Sequence, residues 1–421
     1  MRANAVQVNV FEEIDRVEQT FGEREPIVRA FIPEEGRFAR LRREAERLLE
    51  AGPPPHSSWP LYGMLIGVKD IFHVDGFPTR AGSHLPPEDL GGPEASCVSR
   101  LRAAGALIAG KTVTTEFAYF SPGPTRNPHA PDRTPGGSSS GSAAGVAASL
   151  CAASLGTQTI GSIIRPAAFC GVVGFKPSYG RVATDGVIPL SPSLDHVGLF
   201  ARNVATATEV AAVLCETWTP APIGSARPIL GVPEGPYLDS ASPPAMDNFQ
   251  RACQLLQAAG YEIRHTPLLA DHAEVAARHE LMLAAEASRV HAKWFAKFAD
   301  LYARKTAELI RRGQAISEAE LARALEERAL WQETLVREME RSGVDLWISP
   351  SAPGVAPKGL ESTGDPVMNL PWTQAGLPAL NLPAGKDADG LPFGLQVVGR
   401  PMADESLLGW AASMEGVVAN A

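Results

Sequence analysis

A chain of 421 residues can bury one large α/β core or two smaller ones. Hydrophobic residues at 45% and charged residues at 20% give the balance of a soluble globular protein. The net charge of -9 offers no basic surface for nucleic acid, and five scattered cysteines without paired spacing read as reduced thiols, excluding a disulfide framework.

The first residues lack the apolar core of a signal peptide, and no stretch reaches the length of a membrane span, which points to a cytoplasmic chain. Residues 8–52 read as N-terminal helices. Within them, Phe38, Leu41, Ala45, Leu48 and Leu49 fall at helical spacing, and Gly52 ends the run before three prolines. "YGMLIGVKDIF" (62–72) reads as a buried strand entering a turn. "ASCVSRLRAAGALIAGKT" gives a helix, a stop at Gly105 and a strand at 106–109. A Pro-rich loop, 121–137, leads into "GSAAGVAASLCAA" (141–153), whose small residues suit a helix packed on every side.

Strand-like runs follow around 170–175, 199–201 and 227–235. From 241 to 343 long amphipathic helices dominate, one opened by Ser317 with Glu320 three residues on, a capping-box pattern. "VDLWISPSAP" returns to a buried strand, and the tail predicts two strands joined by a turn at Asp387 to Gly390. No repeat or long linker interrupts the chain. One α/β domain over 1–421 is expected, with its core in 60–205 and 345–410 and a helical insertion at 241–343.

The serine-rich stretch 136–162 contains no histidine, aspartate or glutamate. Gly137-Ser138-Ser139-Ser140-Gly141 formally fits a G-x-S-x-G nucleophile elbow, but that motif needs a preceding strand and here follows the loop "DRTPGG". Asp195 and His196, adjacent in sequence, are poorly placed for a relay. A lysine can act as base instead where burial disfavours its charged form. Lys69, within "MLIGVKDIF", has such surroundings; the alternative is that it pairs with Asp70 or ends a strand. In "TIGS" (159–162), consecutive backbone N–H groups can converge on one oxygen, or form a plain turn.

Three segments together resemble the amidase signature family: "GVKD" around Lys69, "PGGSSSGSAA" from Pro135, and "GTQTIGSIIRPAAFCGVVGFKPSYGRV" from Gly156. The resemblance implies a central mixed β-sheet covered by helices on both faces. It implies Ser162 as nucleophile, Ser138 as a bridging serine after a cis peptide bond, and Lys69 as base. The backbone N–H groups of Thr159, Ile160, Gly161 and Ser162 would form an oxyanion hole. It further implies hydrolysis of the C–N bond of a small amide, a carboxylate-bearing one included, through an acyl-Ser162 intermediate, with no metal or organic cofactor.

The chain departs from the family pattern at Gln158, where aspartate is usual, and at Ile160, where glycine is usual. A β-branched residue at 160 calls for negative φ. Ile164 replaces the usual arginine, and Arg165 follows it, as in malonamidase-type enzymes where the shifted arginine holds a substrate carboxylate. A structural role for Arg165 is the alternative. Gly137 and Trp372 are further candidates for substrate contact, Trp372 reading equally as core. The expected partner is a small-molecule amide, with no nucleic acid and no membrane, and the long helices leave a homodimer open. Two rival readings stand beside this one: the A subunit of a tRNA-dependent amidotransferase, and a catalytically silent binding protein on the same fold.

Overall fold

The computed structural model describes residues 9–51, 59–220 and 227–421. Ten strands hydrogen-bond into one sheet: β1 (Leu65–Lys69), β2 (Leu107–Thr112), β3 (Ala153–Gln158), β4 (Val173–Lys176), β5 (His196–Ala201), β6 (Leu230–Glu234), β7 (Ile263–Pro267), β8 (Leu346–Pro350), β9 (Ala379–Lys386) and β10 (Pro392–Val398). Their order is β2-β1-β3-β5-β4-β9-β10-β8-β6-β7. The pairs at the two ends are parallel, and those from β3 through to β8 are antiparallel, so the sheet is mixed.

Thirteen helices accompany the sheet among the described residues: α1 (Val10–Val28), α2 (Arg37–Glu50), α3 (Ser96–Ala103), α4 (Ser140–Ala147), α5 (Ile164–Cys170), α6 (Val204–Leu214), α7 (Pro243–Ala258), α8 (His272–Val290), α9 (Ala292–Phe298), α10 (Arg304–Gly313), α11 (Glu318–Ser342), α12 (Leu370–Gln374) and α13 (Asp404–Val418). Period-two alternation along the strands divides the apolar core into two layers. Ile66, Val68, Leu155, Val197 and Leu199 point to a layer shared with α3, α6, α7 and α13. Leu65, Leu107, Phe200 and Trp347 point the other way, toward α1, α4, α5, α8 and α11. By the same alternation, Lys69 lies on the face of Leu65, and Gln158 on the face of Ser154, towards α4 and α5.

Helix α4 can lie tightly against the end of β2 because its residues are small. A Cβ on Gly141 would stand 2.1 Å from the Ala30 carbonyl oxygen and 2.4 Å from the Val113 nitrogen, which only glycine tolerates. The capping box at Ser317 and Glu320 opens α11, and Gly343 closes it in the left-handed conformation. Two sequence expectations need correction. The small-residue run 141–153 is not one helix: α4 stops at Ala147, and Ala153 already belongs to β3. Ala, Ser, Leu and Gly alternate too weakly there to announce a buried strand. The stretch 241–343 is not helical throughout either, since β7 lies inside it at the sheet edge. No described helix is long and apolar enough to cross a membrane, and all five cysteines are free thiols.

Candidate active site

Lys69 ends β1 completely buried, with Nζ hydrogen-bonded to Ser138 Oγ at 2.7 Å and Thr157 Oγ1 at 2.8 Å. Burial drives its pKa well below the ordinary lysine value, and the charge of Asp195 pulls weakly the other way. Its neighbour Asp70 turns instead to Lys111, 2.8 Å away, in a separate buried ion pair. No carboxylate is salt-bridged to Lys69 among the described residues, and burial disfavours its charged form beside the Ser138 hydroxyl.

Ser138 stands just ahead of α4, and the Gly137–Ser138 peptide is cis. The Gly137 carbonyl accepts from Arg165 Nη2 at 2.7 Å, and the Ser138 carbonyl accepts from Thr115 N at 3.1 Å. Ser139 completes the local anchoring by donating from Oγ to the Thr157 carbonyl at 3.1 Å. The cis peptide is thus held on both sides by groups from α5 and from the segment after β2.

Residues 159–162 turn from β3 into α5. Their four backbone N–H groups make no hydrogen bond within the described residues, and neither does the Ser162 hydroxyl. Ser162 is 7% exposed, more than Lys69 or Ser138. Unpaired donors gathered in one turn are what a developing oxyanion requires. Thr159 Oγ1 donates to Asp195 Oδ1 at 2.6 Å, while Asp195 Oδ2 accepts from the N–H groups of Leu190 and Ser191. Burial pushes Asp195 up to about 6. Its bonds make it the support of the turn's first residue.

Ile160 keeps φ outside the left-handed region and buries its side chain in the apolar layer with Ile163 and Ile164. Gly161 is required by close approach: a Cβ there would stand 2.4 Å from Asn369 Oδ1 and 2.8 Å from Pro366 Cβ. Gln158 Oε1 accepts from the N–H groups of Ile163 (2.7 Å) and Ile164 (2.9 Å), and Nε2 donates to Thr373 Oγ1 at 2.8 Å.

Arg165 is 2% exposed and spends its guanidinium on the protein. Nη1 donates to the Gly364 carbonyl at 2.8 Å, and Nη2 to the Gly137 carbonyl and to Thr363 Oγ1 at 3.1 Å. Burial lowers its pKa to about 9. Trp372 is 1% exposed, its Nε1–H donating to Tyr237 Oη at 3.0 Å across a perpendicular ring contact. Among the histidines, His279 is pushed down to about 3 and His196 well below its usual value, both by burial. Neither supplies a base near pH 7. Sequence reasoning passed over Thr157, Thr363 and Thr373, because a lone threonine on a strand or in a loop carries no pattern.

The fold and this site define an enzyme of the amidohydrolase class. A family model described as Amidase matches residues 36–408. The A subunit of the glutamyl-tRNA(Gln) amidotransferase of a Synechococcus species is 33% identical, across 93% of this chain and 90% of its own length. The protein of the same name from Roseiflexus castenholzii is 34% identical, across 91% and 87%. A crystal structure of an amidase superposes with a TM-score of 0.87 at 33% identity, covering 98% of this chain and 97% of that one. The native peptide amidase of Stenotrophomonas maltophilia gives 0.81 at 26% identity, covering 98% and 94%. The chain belongs to the amidase family and is an amidohydrolase, with the mixed sheet and flanking helices of that fold.

These relatives overturn one expectation. A small-molecule amide as sole partner, with nucleic acid excluded and a homodimer left open, does not fit kin named as subunits of a glutamyl-tRNA(Gln) amidotransferase. The net charge of -9 misled because it averages over a whole surface and describes neither a local patch nor a companion subunit.

Proposed function

We propose that this chain is the amidohydrolase subunit of an amidotransferase, releasing ammonia from the side-chain carboxamide of glutamine. The observation that carries the chemistry is the buried Lys69 amine 2.7 Å from Ser138 Oγ, with the free N–H groups of the 159–162 turn following Thr157, the other hydroxyl bonded to Lys69. The observation that favours glutamine is the likeness, over nearly the whole chain, to amidotransferase A subunits.

In this reading Ser162 Oγ attacks the carboxamide carbon while its proton passes to Ser138 Oγ, whose own proton passes to neutral Lys69 Nζ. The carbonyl oxygen becomes an oxyanion held by N–H groups of Thr159, Ile160, Gly161 and Ser162; one such donor is worth about 2.7–4 kcal/mol. The relay then runs backwards. The Lys69 proton reaches the leaving nitrogen through Ser138, the C–N bond breaks, and ammonia departs from an acyl-Ser162. Water attacks that ester by the same route, giving the carboxylate and restoring Ser162.

Arg165 in this account holds the Gly137 carbonyl in place rather than a substrate carboxylate, since both Nη2 protons and one Nη1 proton go to the protein and Nε is buried without a partner. The malonamidase-type reading needs that fork free. Trp372 acts from the core, behind Tyr237. Ammonia release from glutamine, measured for the chain alone and with amidotransferase partner subunits and glutamyl-tRNA, tests the assignment. Release that depends on the partners and disappears in Ser162→Ala is expected. A chain that ignores glutamine in every combination, yet hydrolyses malonamate or propionamide, would overturn the proposal.

A further inference from the structure

We infer that Gln158 and Thr373 form a brace that positions the turn carrying the oxyanion donors and Ser162. The inference rests on the function proposed above for that turn. Gln158 is 1% exposed at the last position of β3, and Thr373, on α12, is fully buried. Two N–H groups, from Ile163 and Ile164, point at one atom of the Gln158 carboxamide, so that atom is the oxygen and the other is the donor. The donor meets Thr373 Oγ1 at 2.8 Å. Thr373 has a single hydroxyl proton, and its shortest acceptor is the Ile160 carbonyl at 2.6 Å, against 3.0 Å for Asn369 O. The bonds therefore run in one direction, from Gln158 through Thr373 to Ile160.

The consequence for the site follows from peptide planarity. In a trans peptide the C=O and N–H of one unit point in opposite directions. Fixing the Ile160 carbonyl on α12 aims the Gly161 N–H directly away from α12. At the other end of the turn, the Gln158 oxygen holds the amides of Ile163, the N-cap of α5, and Ile164, its first residue. One side chain thus sets both ends of the five-residue segment 160–164. Aspartate at 158 would be a methylene shorter and, ionised, would have no proton to give Thr373. The longer neutral amide supplies that donor, and it does so without placing a second carboxylate beside the turn that Asp195 already supports.

The test compares Thr373→Val, which keeps shape but removes the hydroxyl, with Thr373→Ser, which restores it. The readout is the rate at which a fluorophosphonate modifies Ser162, a reaction that uses the nucleophile and the oxyanion donors without needing the natural substrate. Misplacement of a catalytic turn by about an ångström costs up to roughly 100-fold, so Thr373→Val should react roughly 10- to 100-fold more slowly, with Thr373→Ser close to the parent. With an amide that the parent hydrolyses, kcat should fall while KM holds. Should Thr373→Val fail to fold, Gln158→Glu replaces it, keeping the acceptor and removing the donor.

Equal rates in the parent and Thr373→Val, or no rescue by serine, would overturn the brace. A parent that resists the reagent would count against the Ser162 chemistry itself. The brace is then judged by amide hydrogen exchange of segment 159–164. Faster exchange there in Thr373→Val alone supports it, and unchanged exchange overturns it.

Discussion

Replacing Gly161 by alanine should slow turnover about 100-fold while costing about 1–3 kcal/mol of stability. The added Cβ would stand 2.4 Å from Asn369 Oδ1 and 2.8 Å from Pro366 Cβ, the first about an ångström inside ordinary contact. Asn369 cannot swing clear, because its Nδ2 donates to the Ser351 carbonyl and to Gln396 Oε1, both at 2.9 Å in the core. The turn must move instead, carrying the Gly161 and Ser162 amides with it. Gly22→Ala is the control. Gly22 is an exposed residue of α1 whose Cβ would meet nothing within 4 Å, so alanine there should stabilise by about 0.5–1 kcal/mol and leave turnover alone. Denaturant unfolding gives the stabilities, and ammonia release gives kcat. Parent-like kcat in a folded Gly161→Ala protein would refute the claim that this turn's placement limits the reaction.

Further outcomes follow from the same geometry. Turnover should rise with pH as Lys69 loses its proton and level off above its depressed pKa, and Lys69→Met should abolish it; a flat profile down to acidic pH would contradict the lysine base. Unfolded Lys69 holds a proton up to about pH 10.4 and the folded one loses it at a lower pH, so between the two the unfolded state binds more protons. Stability should therefore climb with pH between the folded and unfolded pKa values, and Lys69→Met should flatten that slope in unfolding measured across pH. Arg165→Lys leaves at least one of the Gly137 and Gly364 carbonyls without a donor, costing about 1–3 kcal/mol and lowering kcat on carboxylated and neutral amides alike. A loss confined to carboxylated amides would return Arg165 to the substrate. Asp70→Ala strands buried Lys111 and should cost about 3–5 kcal/mol on chemical denaturation, a loss under about 1 kcal/mol contradicting a tightly coupled pair.

Much of the site was legible because its chemistry depends on local sequence. An ionisable residue in the apolar run 64–72 pointed to a buried lysine or to a pair with Asp70, and the turn at 159–162 offered clustered amides or a plain turn. Ile160 could be placed at negative φ from its branching alone. What escaped depended on distance along the chain. Thr373 lies 215 positions from Gln158, and Thr363 lies 198 from Arg165, so neither pairing leaves a mark in either local sequence. Whether Asp70 pairs with Lys69 was likewise a matter of register, settled when β1 and β2 run parallel and bring Lys111 to Asp70. Strand β3 was hidden for another reason: its small residues follow the helix's small residues without a change in composition.

The central claim is a nucleophilic Ser162 served by Ser138 and Lys69. Mapping by mass spectrometry the residue that a fluorophosphonate modifies tests it most directly, in the parent, Ser162→Ala and Lys69→Ala proteins. The account predicts a single adduct on Ser162, absent in Ser162→Ala and greatly slowed in Lys69→Ala. An adduct on Ser138 or Ser139 in the parent, or modification of Ser162 at the parent rate without Lys69, would contradict it.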